Sequence, residues 1–427
     1  MASNFEKSNN AIRNLNSFRD FNELLQDIEN KTVSDVKNDR LPIELNVTEE
    51  STHKRLDFLK AETNQSLDYL TGKIPFEDKK RLEGNIENYI GMSMVPTGVI
   101  GPVRVIGSAA HGDYFVPLAT SEGALVASYH RGAKACYLAG GATSVCLVEG
   151  VQRSPVFKFD NMGDLGHFVA WLLLQMDEFR AITSQASRYA KLMDMRMNIE
   201  GNHVILTFEF HTGDAAGQNM VTICTDQICK YIVADSPMKP NFWFLESNYS
   251  GDKKATSLSF SNVRGKKVTT EIILSEKIVN EVLKTTPELI AEYWRTSTLG
   301  IIQSGAIGAQ GHYANGLTAM FIATGQDAAC VAEAAMGITR LEHQKDGSLY
   351  ASVTLPNLIV GTVGGGTGLP TQRECLELMG CYGAGNARKY AEICGAVILA
   401  GELSIAAALS AGHFSAAHQK FGRKSHK

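Results

Sequence analysis

His203–Val233 reads HVILTFEFHTGDAAGQNMVTICTDQICKYIV. The stretch His203–His211 largely alternates apolar and polar residues, the period of a half-buried strand. Thr212-Gly213-Asp214 breaks that rhythm, and apolar residues return at helical spacing through Val233. Upstream, Pro155–Phe159 reads as a short strand and Leu165–Lys191 as a helix. Downstream, Asn241–Leu245 reads as a closing strand. Strands and helices alternating within about 90 residues make a compact α/β unit. The segments on either side have another rhythm, so the expectation is a small domain inserted in a larger one.

Those flanks are legible in outline. Residues 48–72 carry Leu56, Leu59, Leu67 and Leu70 at helical spacing. Met94–Gly107, MVPTGVIGPVRVIG, alternates Gly and Pro with β-branched residues and reads as strand and turn. Ser121–Ala139 reads as a helix stopped by Gly140-Gly141. After the small unit come a polar turn, Ser247–Lys254, a strand over Lys267–Leu274 and a helix from Ser275. The last long pattern, Asn386–His418, is helical and rich in Ala and Gly, which predicts close packing against a neighbour. Within it, Ala396–Ala411 is interrupted by Glu402 and reads as a buried helix rather than a membrane span. Residues 1–40 are polar, with one amphipathic stretch around Phe18–Ile28 that reads as a helical arm.

Composition narrows the function. The chain has 427 residues with 44% apolar and 20% charged, ordinary for a globular protein. A net charge of −4 carries no nucleic-acid footprint. None of the eight cysteines has CxxC spacing, which points to a reducing compartment and no disulfide frame. The N-terminus lacks a signal-peptide core, so a cytoplasmic protein is expected. The 39 glycines cluster, which points to tight turns and backbone approaching ligands.

Several familiar chemistries are missing. No Walker loop, no GxGxxG after a strand, no HExxH and no GxSxG occur, so no metal site is expected. Six sites remain, five of them with two readings. Glu122, in Leu118–Ser128, is either a first-turn acid favoured by the helix dipole or a buried acid fit to donate a proton. Lys253, in GDKK, is either solvated or a fixed ammonium that stabilises an alkoxide. Asp327, in Thr324–Ala329, either caps a helix or bridges a lysine and a second acid. Gly213–Met220 either makes a tight connection capped by Asp214 or presents N–H groups to a phosphate. The denser loop Gly361–Gly368 suggests close backbone approach to a ligand. His418 is either a solvated terminal side chain or an acid on a C-terminal flap.

In order along the chain, ENYIGMSMVPTGVIGP (87–102), PLATSEGALVAS (117–128), GDAAGQNM (213–220), GDKK (251–254), GQDAA (325–329), GTVGGGT (361–367) and AGELSIAAALSAGH (400–413) resemble the signatures of the HMG-CoA reductase family. The DKK and SRYAKL segments resemble its class I branch. The resemblance covers roughly residue 50 to the C-terminus and implies an α/β (α+β) fold. That fold has a large mixed domain around a long central helix, with an inserted small ferredoxin-like NADP-binding domain. The implied division is an N-terminal helical arm (1–45), a large HMG-CoA domain (46–154 and 246–427) and a small NADPH domain (155–245). The implied reaction reduces HMG-CoA to mevalonate and CoA with two NADPH, through a thiohemiacetal and mevaldehyde.

Carried over by position, Lys253 stabilises the oxyanion, Glu122 protonates the carbonyl oxygen, Asp327 lies between them and His418 protonates the departing thiolate. Arg153, Asp252 and Lys254 match positions that hold the HMG carboxylate and hydroxyl. Ser128, Arg131, Lys284, His312 and Asn315 match positions near CoA or the thioester. Ser187 and Arg188 match the pair at the 2′-phosphate of NADPH. Asp214, Gly217, Asn219 and the loop Gly364, Gly365, Gly366 and Thr367 match dinucleotide contacts. The family's active site forms between subunits, which implies a homodimer or homotetramer, here without the membrane anchor of eukaryotic members. This chain departs from the pattern at Ala216, at Met92, at Lys424 and at Glu246, where the family commonly has Ser.

Overall fold

The computed structural model describes residues 12–13, 15, 19–30, 41–43 and 47–412. One-turn helices aside, the helices are α1 (Phe21–Glu29), α2 (Glu49–Thr63), α3 (Leu125–Leu138), α4 (Met162–Leu172), α5 (Met176–Ala186), α6 (Gln218–Asp235), α7 (Pro287–Ser304), α8 (Tyr313–Thr324), α9 (Pro370–Leu378) and α10 (Ala387–Ser410). The strands are β1 (Thr97–Gly107), β2 (His111–Ala119), β3 (Ala142–Arg153), β4 (Val156–Lys158), β5 (Lys191–Glu200), β6 (His203–His211), β7 (Phe242–Phe244), β8 (Gly265–Leu274), β9 (Ile338–His343) and β10 (Leu349–Leu358).

The central path of the sheet runs β7-β4-β6-β3-β8-β10-β9, with β1 on β3, β2 on β1 and β5 on β6. β3 joins its two halves. Thr143–Gly150 pair antiparallel with β8, and Val151–Arg153 continue onto Phe208–Phe210 of β6. Arg153 therefore stands where one half of the sheet becomes the other.

The smaller half runs β4-α4-α5-β5-β6-α6-β7, with strand order β7-β4-β6-β5 and every neighbouring pair antiparallel. That is the split βαβ topology of a ferredoxin-like unit. It has its own core, in which Phe157, Phe168, Phe179, Phe208 and Phe210 are fully buried with Ile228 and Ile232. The chain enters and leaves this half at adjacent points, since Ser247 donates through both N–H (2.8 Å) and Oγ (2.7 Å) to the Ser154 carbonyl.

α10 organises the larger half. It packs against α3, α7, α8, β1, β3, β8 and β10. It is long and apolar enough to cross a membrane, yet 83% of its most apolar window is buried inside the fold. A helix apolar on every side is expected at the centre of a core. Its small residues admit close neighbours. A Cβ on Gly132 of α3 would lie 1.8 Å from the Ala400 carbonyl oxygen, and one on Gly401 would lie 2.4 Å from the Tyr129 ring.

Charged groups buried in this half are heavily paired. Glu392 accepts from Ser108 Oγ and from the N–H groups of Ala109, Ala110 and Cys146. Glu149 on β3 takes Arg388 of α10 (2.7 Å), His211 of β6 (2.6 Å) and Lys266 of β8 (3.5 Å). Burial pushes the Glu149 carboxyl up, but His211, Lys266 and Arg388 outweigh burial and hold it well below the usual carboxylate range.

Several boundaries differ from the sequence reading. The helix expected over Leu165–Lys191 is two helices, because 3₁₀-type bonds from Leu174 and Gln175 close the first. Lys191 then opens β5, which had no strand signal. Its sequence KLMDMRMNIE is rich in unbranched residues, and the strand pairs with β6 alone, largely exposed. The helix within 48–72 ends at Thr63, where Asn64 adopts φ 59° and caps it. α3 begins at Leu125 rather than Ser121, after Ala124 at φ 69°. Within Met94–Gly107 the strand starts at Thr97. The helix from Ser275 closes through a π turn, Val279–Leu283, ended by Lys284 at φ 63°. Residues 413–427, and with them His418, lie outside the described residues.

Candidate active site

The turn Gly251–Lys254 sits just after the small half ends. Gly251 has φ 75°, and Lys253 itself has φ 54°, a backbone that costs an L-residue about 1–2 kcal/mol. That conformation is held where the Lys253 Nζ meets Asp327 Oδ2 at 2.9 Å. The hydrogen bond that Lys253 donates to Asp327 raises the Lys253 pKa, against a smaller opposing effect of burial, so the side chain stays an ammonium. The other Asp327 oxygen accepts from the Ala329 N–H at 3.0 Å and caps the turn Ala328–Cys330. One carboxylate thus serves both its own turn and the lysine.

Behind this pair lies a chain of buried charge. Asp252 Oδ2 is 3.0 Å from Arg153 Nη1, and Asp252 Oδ1 pairs with Arg264. Arg264 is only 1% exposed; its Nη1 donates to the Gln152 carbonyl (2.9 Å), and its Nε lies 3.5 Å from Glu333 Oε1. Burial pushes the Asp252 carboxyl up, but Arg264 and Arg153 hold it below its ordinary value. Burial raises the pKa of Glu333, which is wholly enclosed. Glu246 Oε2 reaches the same Arg153 nitrogen at 3.2 Å. Lys254 turns back to donate to the Asp252 carbonyl at 3.0 Å.

The two glycine-rich loops meet beside Asp327. The Thr362 N–H donates to the Asp214 carbonyl (2.8 Å), and a Cβ on Gly361 would sit 2.5 Å from the Ala216 nitrogen. A Cβ on Gly366 would lie 2.6 Å from the Gly325 carbonyl oxygen. Part of the glycine density therefore answers loop-on-loop packing, which the sequence reading had assigned to a ligand. Gly364 (φ 77°) and Gly365 (φ 53°) face open space, as Gly368 does. Gly217, at φ 82°, opens α6. Asp214 does not cap that helix. Its carboxylate accepts from Gly385 N–H (2.8 Å) and Ala387 N–H (3.0 Å), at the start of α10. Gln326 exchanges two 2.9 Å bonds with Gly361, tying the Asp327 turn to the second loop.

Farther out on the small half, Ser187 ends α5 and its Oγ accepts from the Tyr189 and Ala190 N–H groups. Arg188 is exposed, has no ion-pair partner among the described residues, and lies 5.7 Å from the Tyr189 ring centroid. Asn219 is exposed on α6.

A second cluster surrounds α10. Glu402 is 3% exposed and accepts from the Gly311 and His312 N–H groups (2.7 and 2.8 Å) and from Thr339 Oγ1 (2.7 Å). His312 Nδ1 lies 3.0 Å from the same carboxylate, and its ring stacks on Tyr129 at 5.3 Å. Burial pushes the Glu402 carboxyl up, while these bonds from His312 hold it low. Two residues along, Ser404 takes Ser128 Oγ (2.9 Å) and Arg131, whose Nη2 also reaches the Ser404 carbonyl (2.7 Å). Asn315 donates to Glu122 Oε2 at 2.8 Å. Glu122 is neither buried nor in a first helical turn; it is exposed in the loop before α3. Lys284 is exposed at the end of its π turn.

Among the described residues, Glu122 makes no hydrogen bond or ion pair with Lys253 or Asp327. These residues thus form two hydrogen-bonded pairs, Lys253 with Asp327 and Glu122 with Asn315. Sequence reasoning missed Arg264, Glu333, Ser404 and the role of Glu402. A signal existed for Glu402, because a carboxylate inside an otherwise apolar helix must find donors. All eight cysteines are free and buried.

The family model described as hydroxymethylglutaryl-coenzyme A reductase matches residues 51–423. A 3-hydroxy-3-methylglutaryl-coenzyme A reductase of Pyrococcus horikoshii is 44% identical over 79% of this chain and 84% of its own length. One of Aeropyrum pernix is 42% identical over 93% of this chain and 96% of its own. The class II reductase of Streptococcus pneumoniae, solved bound to NADPH in open conformations, superposes with a TM-score of 0.69 at 21% identity. The match covers 86% of this chain and all of that one.

Proposed function

The chain belongs to the hydroxymethylglutaryl-coenzyme A reductase family, and from that premise we propose that the Lys253–Asp327 pair beside the glycine loops is its reaction centre. The activity is reduction of 3-hydroxy-3-methylglutaryl-CoA to mevalonate and CoA with NADPH, the committed chemistry of the mevalonate route. The carrying observation is the 2.9 Å ion pair, an ammonium held in place by an acid at the meeting of the two halves.

The residues present fit NADPH. Gly364 and Gly365 leave room for close approach, and Arg188 is an exposed guanidinium with no ion-pair partner among the described residues. Arg188 and Ser187 would hold the 2′-phosphate. Gly217, Asn219 and Gly364–Thr367 would line the dinucleotide, with Asp214 fixing the two loops through α10. When bound, NADPH supplies the hydrides for a four-electron reduction.

The chain's own groups do the rest. Lys253 stabilises negative charge as the thioester carbonyl, and later the aldehyde, becomes tetrahedral. Asp327 keeps it protonated and aimed. Glu122 protonates the aldehyde oxygen, and His418 protonates the departing CoA thiolate, which would otherwise add back to the aldehyde. Arg153, Asp252 and Lys254 hold the substrate's carboxylate and hydroxyl. Ser128, Arg131, Lys284, His312 and Asn315 line the CoA side, the first two set by Ser404 and His312 by Glu402.

The pairs Lys253–Asp327 and Glu122–Asn315, read as two half-sites, favour a homodimer, or a dimer of dimers, in which the Glu122 of one subunit completes the Lys253–Asp327 centre of its partner. A solution mass of a single active chain would contradict that assembly. Eight free cysteines favour a reducing compartment, and we assign the cytoplasm.

Purified protein is expected to oxidise two NADPH for each HMG-CoA and release mevalonate. Equal turnover of unrelated acyl-CoAs would overturn the substrate assignment. Arg188→Ala is expected to raise the KM for NADPH by about tenfold or more while leaving that for NADH within about twofold. An unchanged preference would remove Arg188 from the 2′-phosphate.

A further inference from the structure

Arg153 is the cation assigned above to the substrate's carboxylate, and in the free chain it is already occupied. Its Nη1 lies 3.2 Å from Glu246 Oε2 and 3.0 Å from Asp252 Oδ2. The contact with Glu246 is only half made. Arg153 Nε and Glu246 Oε1 are both buried, and neither has a hydrogen-bond partner among the described residues. A bidentate carboxylate–guanidinium pair would use both oxygens and two adjacent nitrogens. Here one oxygen does all the accepting, from Arg153, from Ser250 Oγ (3.0 Å) and from the Ser154 N–H (3.4 Å).

Charge balance sharpens the point. The connected network holds two guanidinium groups, Arg153 and Arg264, and two carboxylates, Asp252 and Glu246. Glu333, at its far end, is wholly buried, and burial favours its neutral form. These two guanidinium groups and two carboxylates therefore balance before substrate arrives. A further carboxylate on Arg153 would leave it one charge in excess inside a partly buried site, where unpaired charge is costly. Asp252 cannot leave, because it is pinned by Arg264 as well. Among the cations of the described residues Glu246 is held by Arg153 alone, its side chain is 23% exposed, and it begins the polar turn that leads to Lys253.

We infer that Glu246 is a built-in competitor for the substrate's carboxylate, a specificity-determining residue that occupies Arg153 in the free enzyme and is displaced when substrate binds. The inference rests on the reading of Arg153 given above. Its consequence is weakened recognition of a carboxylate-bearing acyl group relative to the rest of the substrate. The neutral Glu246→Gln keeps the size of the side chain, and Glu246→Ser removes its reach.

The experiment measures two inhibition constants on each full-length enzyme, for free 3-hydroxy-3-methylglutarate and for coenzyme A, which lacks that carboxylate. Both Glu246 variants are expected to bind the dicarboxylate about tenfold more tightly, with the coenzyme A constant unmoved. A purely structural role for Glu246 would weaken both ligands together. The ratio of the two constants, taken on one preparation, is insensitive to any fraction of unfolded protein. A ratio unchanged from wild type, or shifted against the dicarboxylate, overturns the inference. Arg153→Gln separates this from the parent reading. If it leaves the ratio untouched, Arg153 is not the carboxylate site. If it weakens only the dicarboxylate while the Glu246 variants bind as wild type does, Arg153 stands and competition by Glu246 is refuted.

Discussion

Lys253→Ala is expected to abolish turnover of HMG-CoA and of free mevaldehyde alike, by three orders of magnitude or more on the usual worth of a fixed donor at a developing oxyanion, about 10²–10³ for a neutral one. The charge makes the difference. At about 3 Å and an effective dielectric of about 20, an ammonium interacts with a full oxyanion by roughly 5 kcal/mol. Both hydride additions create that charge on a carbonyl oxygen, so both fail together. The fold should tolerate the change. Lys253 is 44% exposed, and an exposed ion pair such as Lys253–Asp327 contributes about 1 kcal/mol or less. Lys253→Arg should not rescue, since a planar fork does not replace a compact ammonium. Retention of a tenth of wild-type activity by Lys253→Ala, with an intact melt, would remove Lys253 from the oxyanion.

Gly132→Ala is expected to destabilise the protein by about 3 kcal/mol, at the upper end for overpacking. The added Cβ would meet Ala400 O at 1.8 Å, and also Ala400 C and Cα at 2.5 and 2.9 Å. These are backbone atoms of a buried helix, with no rotamer to change. Helix propensity favours Ala over Gly by about 1 kcal/mol, so the clash must overcome that gain as well. Gly300→Ala on α7 is the control, because nothing lies within 4 Å of its Cβ position and only the propensity gain remains. Denaturant titration of the two variants should move the midpoints in opposite directions. If Gly132→Ala unfolds with the wild type, α3 and α10 are not in contact as described. Activity should suffer too, since α3 carries Ser128 and Arg131 onto Ser404 of α10.

How much of this was legible depended on where the information lies. β6 and α6 read well because alternation and helical spacing are both strong there, with Gly213 and Gly217 marking the junction. β5 was invisible because Lys191–Glu200 is an edge strand of Met, Leu and Asp, stabilised by β6 rather than by its own propensity. Asp214 read as a cap for the helix beside it, whereas its carboxylate caps the distant start of α10. The glycine density of Gly361–Gly368 reads, in sequence, as close backbone approach to a ligand. Half of its reason was misjudged, because only assembly reveals that Gly361 and Gly366 lie against other backbone.

Local chemistry is written in one dimension. The inserted rhythm of strand and helix and the Ala- and Gly-rich final helix follow from residue types at short spacing, while the roles of Lys253, Glu122 and Asp327 are implied only by the resemblance that the ordered motifs carry. Partnership is different, because it arises from contacts between segments far apart in the chain. Folding joined Lys253 to Asp327 and buried Glu402 under His312. It also paired Glu122 with Asn315 rather than with the lysine, and set Glu246 against Arg153. Which groups are desolvated, and which charge neutralises which, depends on that long-range packing, and so no motif could have announced it.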